Sequence, residues 1–329
     1  MVVGLSGYYG FQNAGDEALL EAIIQQLHAR GHKPLVFSGS PKDHIARYSV
    51  KAVRRSHPLE VWRALGEIDL LISGGGTLLQ DKTSAASLLY YLGIVSLAKR
   101  RGKRVHVFNQ SLGPLSRRGE RWVKRTLKGT SIFLRDKPSL EYATRLGLEA
   151  ELGADCAMVL TPPPVEREES MVVLVPREGT EAANQTLRRV GERLRSSGHE
   201  VVVLGMQPGY DDEAIETFQG FTTEMAWDPR RVSYLLAQAG YVVSVRLHGC
   251  ILAAAAGTPY AGISYDPKVA GFCADSGAAH QEAPGTPEFF VQAVEQRIQP
   301  DWDAISTMRE RARHTFDRVL SRVVTPVKR

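Results

Sequence analysis

Residues 244–269 read SVRLHGCILAAAAGTPYAGISYDPKV. The apolar run Tyr241-Val242-Val243 leads into this stretch, and Arg246-Leu247-His248-Gly249 closes the run. The small residues from Cys250 to Ala256 suit a closely packed helix, which Gly257-Thr258-Pro259 stops. A second apolar run covers Tyr260 to Ser264, and Tyr265-Asp266-Pro267-Lys268 turns the chain. Two apolar runs around one short helix predict a βαβ unit, hence a parallel sheet. Ligands of such sheets sit beyond the C-terminal ends of the strands. Arg246 and His248 fall there, at a helix start whose free N–H groups also favour an anion. Taken alone, the pair fits an ordinary exposed surface equally well.

The same rhythm runs outward in both directions. Residues 2–6 (VVGLS) form a buried-type strand, the loop GYYGFQNAG follows, and a helix begins near Asp16. Asp16 and Glu17 stand in its first turn, where negative charge suits the helix dipole. Strands are expected at Pro34–Phe37, Ile68–Ser73, Arg104–Asn109 and Ser131–Leu134, with helices between them. The segment Thr161-Pro162-Pro163-Pro164-Val165-Glu166-Arg167-Glu168-Glu169 reads as a stiff polar linker. Beyond it come strands Met171–Val175 and Glu200–Leu204 and the opening stretch. The expected organisation is therefore α/β and doubly wound: a domain over 1–161, a linker over 162–169 and a second domain over 170–300. A basic amphipathic helix from Trp302 to Val323, within the segment 301–329, is expected to pack back across the interface.

Composition bounds the function classes. The chain has 329 residues, 43% hydrophobic and 23% charged, which fits a globular protein with room for two domains. No apolar run approaches the ~20 residues of a membrane span, and the start MVVGLSG goes straight into a strand pattern without signal-peptide features. Three scattered cysteines, Cys156, Cys250 and Cys273, form no CxxC pair, so a reducing cytoplasm is expected. The net charge is +5. No basic–aromatic module of a nucleic-acid binder is present, so no nucleic-acid partner is expected. Arg117, Arg118, Arg121, Lys124, Arg125 and Lys128 crowd one predicted helix. That helix reads either as a solvated face or as contact with an anionic lipid surface.

Four loops carry candidate chemistry. GYYGFQNAGDE (7–17) places glycines, Tyr9, Asn13 and Asp16 between a strand and a helix start, without the spacing of a dinucleotide or P-loop motif. SGGGTLLQD (73–81) leaves Gly75 and Gly76 without side chains to block a cleft, so a sugar or phosphate can lie on backbone amides. NQSLGP (109–114) offers Gln110 to a hydroxyl. Cations recur at strand ends: Arg135, Arg177, Arg246 and, just past a strand, Lys268. Gathered at one sheet edge, they call for a ligand with two or more negative groups. His248 is the one histidine in this set, and an imidazole suits a general acid. No histidine–carboxylate cluster has metal-ligand spacing, so no metal or other cofactor is expected.

GYYGFQNAGDEA, SGGGTLLQD, NQSLGP, FLRDKPS, SVRLHGCILAAAAGTP and YDPKV occur in this order. The set resembles the polysaccharide pyruvyl transferase family, above all the members that modify cell-wall polysaccharide so that surface-layer proteins can anchor. The likeness runs to about residue 275. It implies a GT-B-like fold, two Rossmann-like domains facing across a cleft. It implies phosphoenolpyruvate as donor and a lipid-linked saccharide as acceptor, whose N-acetylmannosamine receives a 4,6-pyruvate ketal. On this resemblance Arg246, Leu247, His248 and Arg135 serve the donor. Arg177 ends Val175-Pro176-Arg177 where the family has an SLR-type motif, which leaves its role open. Two alternatives share the sequence features: a GT-B glycosyltransferase using a nucleotide sugar, and a non-catalytic glycan-binding module.

Overall fold

The computed structural model describes residues 1–82 and 84–321. The end of the segment 301–329, including the last two residues of the helix expected to reach Val323, lies outside the described residues.

The apolar runs form two parallel sheets. The first has seven strands, β1 (Val2–Ser6), β2 (Lys33–Ser38), β3 (Lys51–Arg54), β4 (Leu70–Gly74), β5 (Arg104–Gln110), β6 (Ser131–Leu134) and β7 (Glu151–Leu152), in the order β3-β2-β1-β4-β5-β6-β7. The second has six, β8 (Glu168–Val175), β9 (Glu200–Gly205), β10 (Thr222–Met225), β11 (Ala239–Ser244), β12 (Tyr260–Ser264) and β13 (Ala279–Glu282), in the order β10-β9-β8-β11-β12-β13. Helices cover both faces, so the central strands β4 and β11 are buried at every position. That is why they read as unbroken apolar runs rather than alternating ones. The weakly patterned region after Phe37 holds a short helix, Pro41–Tyr48, and the edge strand β3, whose residues are half-buried or exposed. Edge placement explains the faint signal.

Both sheets run out from the middle. In the first, β1 pairs with β2 on one side and β4 on the other; in the second, β8 pairs with β9 and β11. The order of the chain reverses at these two places, and a crevice opens at each. The loops after β1, β4, β8 and β11 are the ones that carry Asn13, Gly76, Arg177 and Arg246. Two contacts close the distance between the crevices. The Ala14 amide donates to the Met206 carbonyl at 2.9 Å, and Asn13 Nδ2 donates to Gln207 Oε1 at 3.2 Å.

The linker segment ends sooner than the charges indicate, since β8 already begins at Glu168. The final helix, Trp302–Leu320, returns to the first sheet. Phe316 packs edge-on against Phe108 of β5 with centroids 4.8 Å apart. Arg30 pairs with Asp317 at 2.7 Å, and Arg318 with Glu151 at 2.7 Å. Phe108 and Phe316 are both fully buried, so this return is held by apolar area more than by its exposed ion pairs.

Candidate active site between the two sheets

A cavity of about 580 Å³ opens where the two crevices face each other. Its N-terminal wall starts at the helix Ala14–Ala29. Asn13 caps that helix, accepting from the Gly15 amide at 3.1 Å. The cap fixes Asp16 in the first turn, on the cavity wall. Burial, the main cause, pushes the Asp16 carboxyl up to about 6; Glu17 and Asp155 add to the rise, while His248 and Arg135 oppose it. Glu17 points the other way and is buried. It accepts from the Gly10 amide at 2.7 Å and lies 2.9 Å from His44 Nε2. So one residue of the acidic pair faces the cavity, and the next braces the loop that leads to it. Gly76 follows β4 with φ +68, and a Cβ there would lie 2.9 Å from Asp16 Oδ1. Only glycine brings the backbone this close to that carboxylate without strain.

The opposite wall is cationic. Arg246 caps the helix Leu247–Ala256, which starts three residues earlier than the small-residue run implies and so takes in His248. The Arg246 guanidinium hydrogen-bonds Asp211, which is wholly buried and also accepts from the Met206 amide at 3.1 Å. Arg177 donates to the Tyr210 hydroxyl at 3.0 Å and stacks over Tyr265, 4.7 Å from the ring centroid. Lys268 lies 4.0 Å from Asp266, and burial lowers its pKa. Arg135 reaches in from the first sheet. It donates to Ser111 Oγ at 2.7 Å and Asp155 Oδ2 at 2.9 Å. Each guanidinium is thus held by a carboxylate, hydroxyl or ring that fixes its plane, which suits a bidentate grip on an anion.

His248 sits at the seam. Its ring lies on Gly15, where an added Cβ would stand 2.3 Å from Nδ1. Its Nε2 is 3.7 Å from Asp155 Oδ2. That separation is too long for a hydrogen bond. Burial alone would raise the Asp155 carboxyl, but His248 and Arg135 outweigh it and hold the group at about 2. Asp155 therefore stays ionised and lies between Arg135 of the first sheet and His248 of the second.

Of the residues expected from sequence, Asn13, Asp16, Gly76, Arg135, Arg177, Arg246, Leu247, His248 and Lys268 share the cavity. Three are elsewhere. Tyr9 is buried under Gly7 and donates from its hydroxyl to the Gly74 carbonyl at 2.6 Å; its neighbour Tyr8 takes the wall instead. Gln110 is fully buried and donates to the Ser73 carbonyl at 3.1 Å, which joins β5 to β4. Gly75 turns toward Leu19, whose Cδ1 a Cβ would meet at 3.0 Å. The cavity also uses Gln207, Tyr210, Tyr91 and Thr77, and Asp155 beneath it, none of which the motifs single out. Asp155 carried a signal, as a lone carboxylate in the apolar run Ala154–Leu160. Tyr210 and Gln207 carried only their position after a strand. Among the described residues no group of histidines, cysteines and carboxylates could hold a metal ion, and no helix is long and apolar enough to cross a membrane.

A sequence model of the family described as polysaccharide pyruvyl transferase matches residues 13–267, which takes in most of both walls of this cavity, with Tyr8 and Lys268 just outside it. The chain belongs to this family. No curated protein matches it. Family membership makes the protein a transferase of the pyruvyl class acting on polysaccharide. Solved structures resemble it over nearly the whole chain. A glycosyltransferase from Rickettsia africae shares 12% identity over 97% of this chain and 94% of its own, with a TM-score of 0.58. HepE from Anabaena, in complex with UDP and glucose, shares 11% over 98% and 96%, with a TM-score of 0.57. At such identity the likeness is one of fold, that of GT-B glycosyltransferases, and this family member is built on it.

Proposed function

We propose that this protein transfers pyruvate from phosphoenolpyruvate to a sugar as a 4,6-ketal. The observation that carries the reading is the gathering of four cations, Arg135 from the first sheet and Arg177, Arg246 and Lys268 from the second, around one cavity with the Asp16 carboxyl, whose pKa burial pushes up to about 6. Phosphoenolpyruvate bears a phosphate and a carboxylate, and Arg135, Arg177, Arg246 and Lys268 supply the charge to hold both. His248 protonates C3 of the enol, which leaves C2 an oxocarbenium-like electrophile. One sugar hydroxyl adds to C2, the C2–O bond to phosphate breaks, and the second hydroxyl closes the ring. Asp16 takes the proton of the first hydroxyl, a task its raised pKa suits, and the departing phosphate carries off that of the second. The cations stabilise the departing phosphate. Asn13, Gly76 and Tyr8 line the side left to the acceptor.

The acceptor proposed is N-acetylmannosamine of a lipid-linked cell-wall precursor. This would place the protein in the CsaB branch of the family, whose product anchors surface-layer proteins. It would work in the cytoplasm, at the inner face of the membrane that carries the acceptor. Support for this finer reading is the order of the six motifs. A phosphate-release assay with phosphoenolpyruvate and a panel of lipid-linked disaccharides tests it. Release of a nucleotide from a nucleotide sugar instead, as the fold shared with UDP-bound HepE would allow, would replace it with the glycosyltransferase reading. Turnover of any kind would dispose of the glycan-binding module, against which the intact set of charged residues already speaks.

A further inference from the structure

The helix Arg117–Leu127 exposes Arg117, Arg118, Arg121, Lys124 and Arg125, with Lys128 just beyond its end. At about 100° per residue the six cations fall within an arc of about 120°. The buried positions Gly119, Val123 and Leu127 lie on the opposite side. Trp122, 36% exposed, borders the cationic arc. Among the described residues none of the six has a carboxylate partner. The helix's own acid, Glu120, is half-buried and accepts from the Tyr142 hydroxyl at 2.8 Å. Six cations against Glu120 leave these twelve residues at +5, the net charge of the whole chain, so the remainder is neutral.

Spacings such as Arg117–Arg121, Arg121–Arg125 and Lys124–Lys128 set like charges one turn apart, which costs the free protein stability. A counter-surface of opposite charge would recover it. The helix is also fixed relative to the cavity. Asp81 accepts from the Ser116 amide at 2.8 Å and from its hydroxyl at 2.5 Å, and Asp81 directly follows Gln80 on the cavity wall. The start of this helix is therefore tied to the loop that lines the cavity.

We infer that the Arg117–Lys128 face docks on an anionic lipid surface, with Trp122 entering the headgroup layer. A flat cationic arc edged by one aromatic suits a lipid interface. The chain offers no basic–aromatic module of the kind that grips nucleic acid. The docking rests on the exposed cations and Trp122; only its consequence, that the cleft meets a lipid-linked acceptor at the membrane, rests on the function proposed above.

Co-sedimentation with vesicles tests it, without any substrate. The protein should bind phosphatidylglycerol-containing vesicles at low salt, release them at high salt, and bind pure phosphatidylcholine poorly. Each cation near such a surface contributes about a five-fold gain in partitioning, so R117Q/R121Q/K124Q should weaken binding about 100-fold. The triple variant should fold as wild type does and release phosphate from phosphoenolpyruvate at the wild-type rate on a water-soluble acceptor. Wild-type protein that ignores anionic vesicles at low salt would overturn the inference. So would a triple variant that binds them undiminished, or a tighter hold on an oligonucleotide than on the vesicles. A dead enzyme that still binds vesicles would fault the proposed reaction and leave the docking intact.

Discussion

Gly15→Ala isolates the seam between the sheets. Position 15 lies in the first turn of a helix with ordinary backbone angles, so alanine costs nothing there conformationally and gains up to about 1 kcal/mol of helix propensity. The new Cβ, however, would stand 2.3 Å from His248 Nδ1, 2.5 Å from Cγ and 2.9 Å from Cβ. Restoring ordinary contact drives the ring back by about 1 Å, and because the His248 Cβ is itself too close, rotating the ring does not suffice. Overpacking of this kind costs about 1–3 kcal/mol. Set against a propensity gain of up to about 1 kcal/mol, the net loss is at most about 3 kcal/mol, within the stability of an ordinary domain, and the protein should fold. A misplacement of about 1 Å at a reacting group lowers rate about 100-fold. Phosphate release from phosphoenolpyruvate should therefore fall by about that factor, with only a small drop in Tm. Gly93→Ala is the control: it lies on a helix where a Cβ meets nothing within 4 Å, and should keep full activity with equal or higher Tm. Gly15→Ala with wild-type kcat and KM would refute the placement of His248 against the helix start as a requirement of the reaction.

Other substitutions separate the remaining roles. His248→Ala should abolish turnover while phosphoenolpyruvate still binds, as calorimetry would show; a wild-type rate would remove His248 from the mechanism. Asp16 has a raised folded pKa, so its ionisation costs stability as pH rises through about 6, reaching about 3 kcal/mol above neutrality. Asp16→Asn should accordingly melt higher than wild type at pH 8 and equal to it below about pH 4, yet lose activity; in wild type, kcat/KM should fall as pH drops below about 6. Asp155 is the reverse case. Its depressed pKa contributes stability above about pH 4 that disappears as pH falls through about 2. Asp155→Asn should thus lower stability at pH 7 by about 2–4 kcal/mol by releasing Arg135, measured by denaturant melts. Phe316→Ala should cost about 3–5 kcal/mol through the cavity it leaves against Phe108, with kcat unchanged in the folded fraction.

The sequence by itself determined the fold class and most of the cationic wall. Strands buried on both faces must be apolar throughout, so β1, β4, β8 and β11 announced themselves, and loops after parallel strands must hold the ligand groups. That rule put Arg135, Arg177, Arg246 and His248 in loops that the structure gathers around one cavity. Edge elements such as β3 and β10 were faint because half-exposed strands need no such pattern. Only the tertiary structure decided which of two neighbours faces the cavity. Tyr8 against Tyr9, Asp16 against Glu17 and Gly76 against Gly75 are matched in type and differ only in the direction the backbone gives them. It alone joined Asp155 to Arg135 and His248, residues 20 and 93 positions apart from it in the chain. A carboxylate's partners depend on where two separate sheets set their loops, and no local pattern of residues encodes that distance.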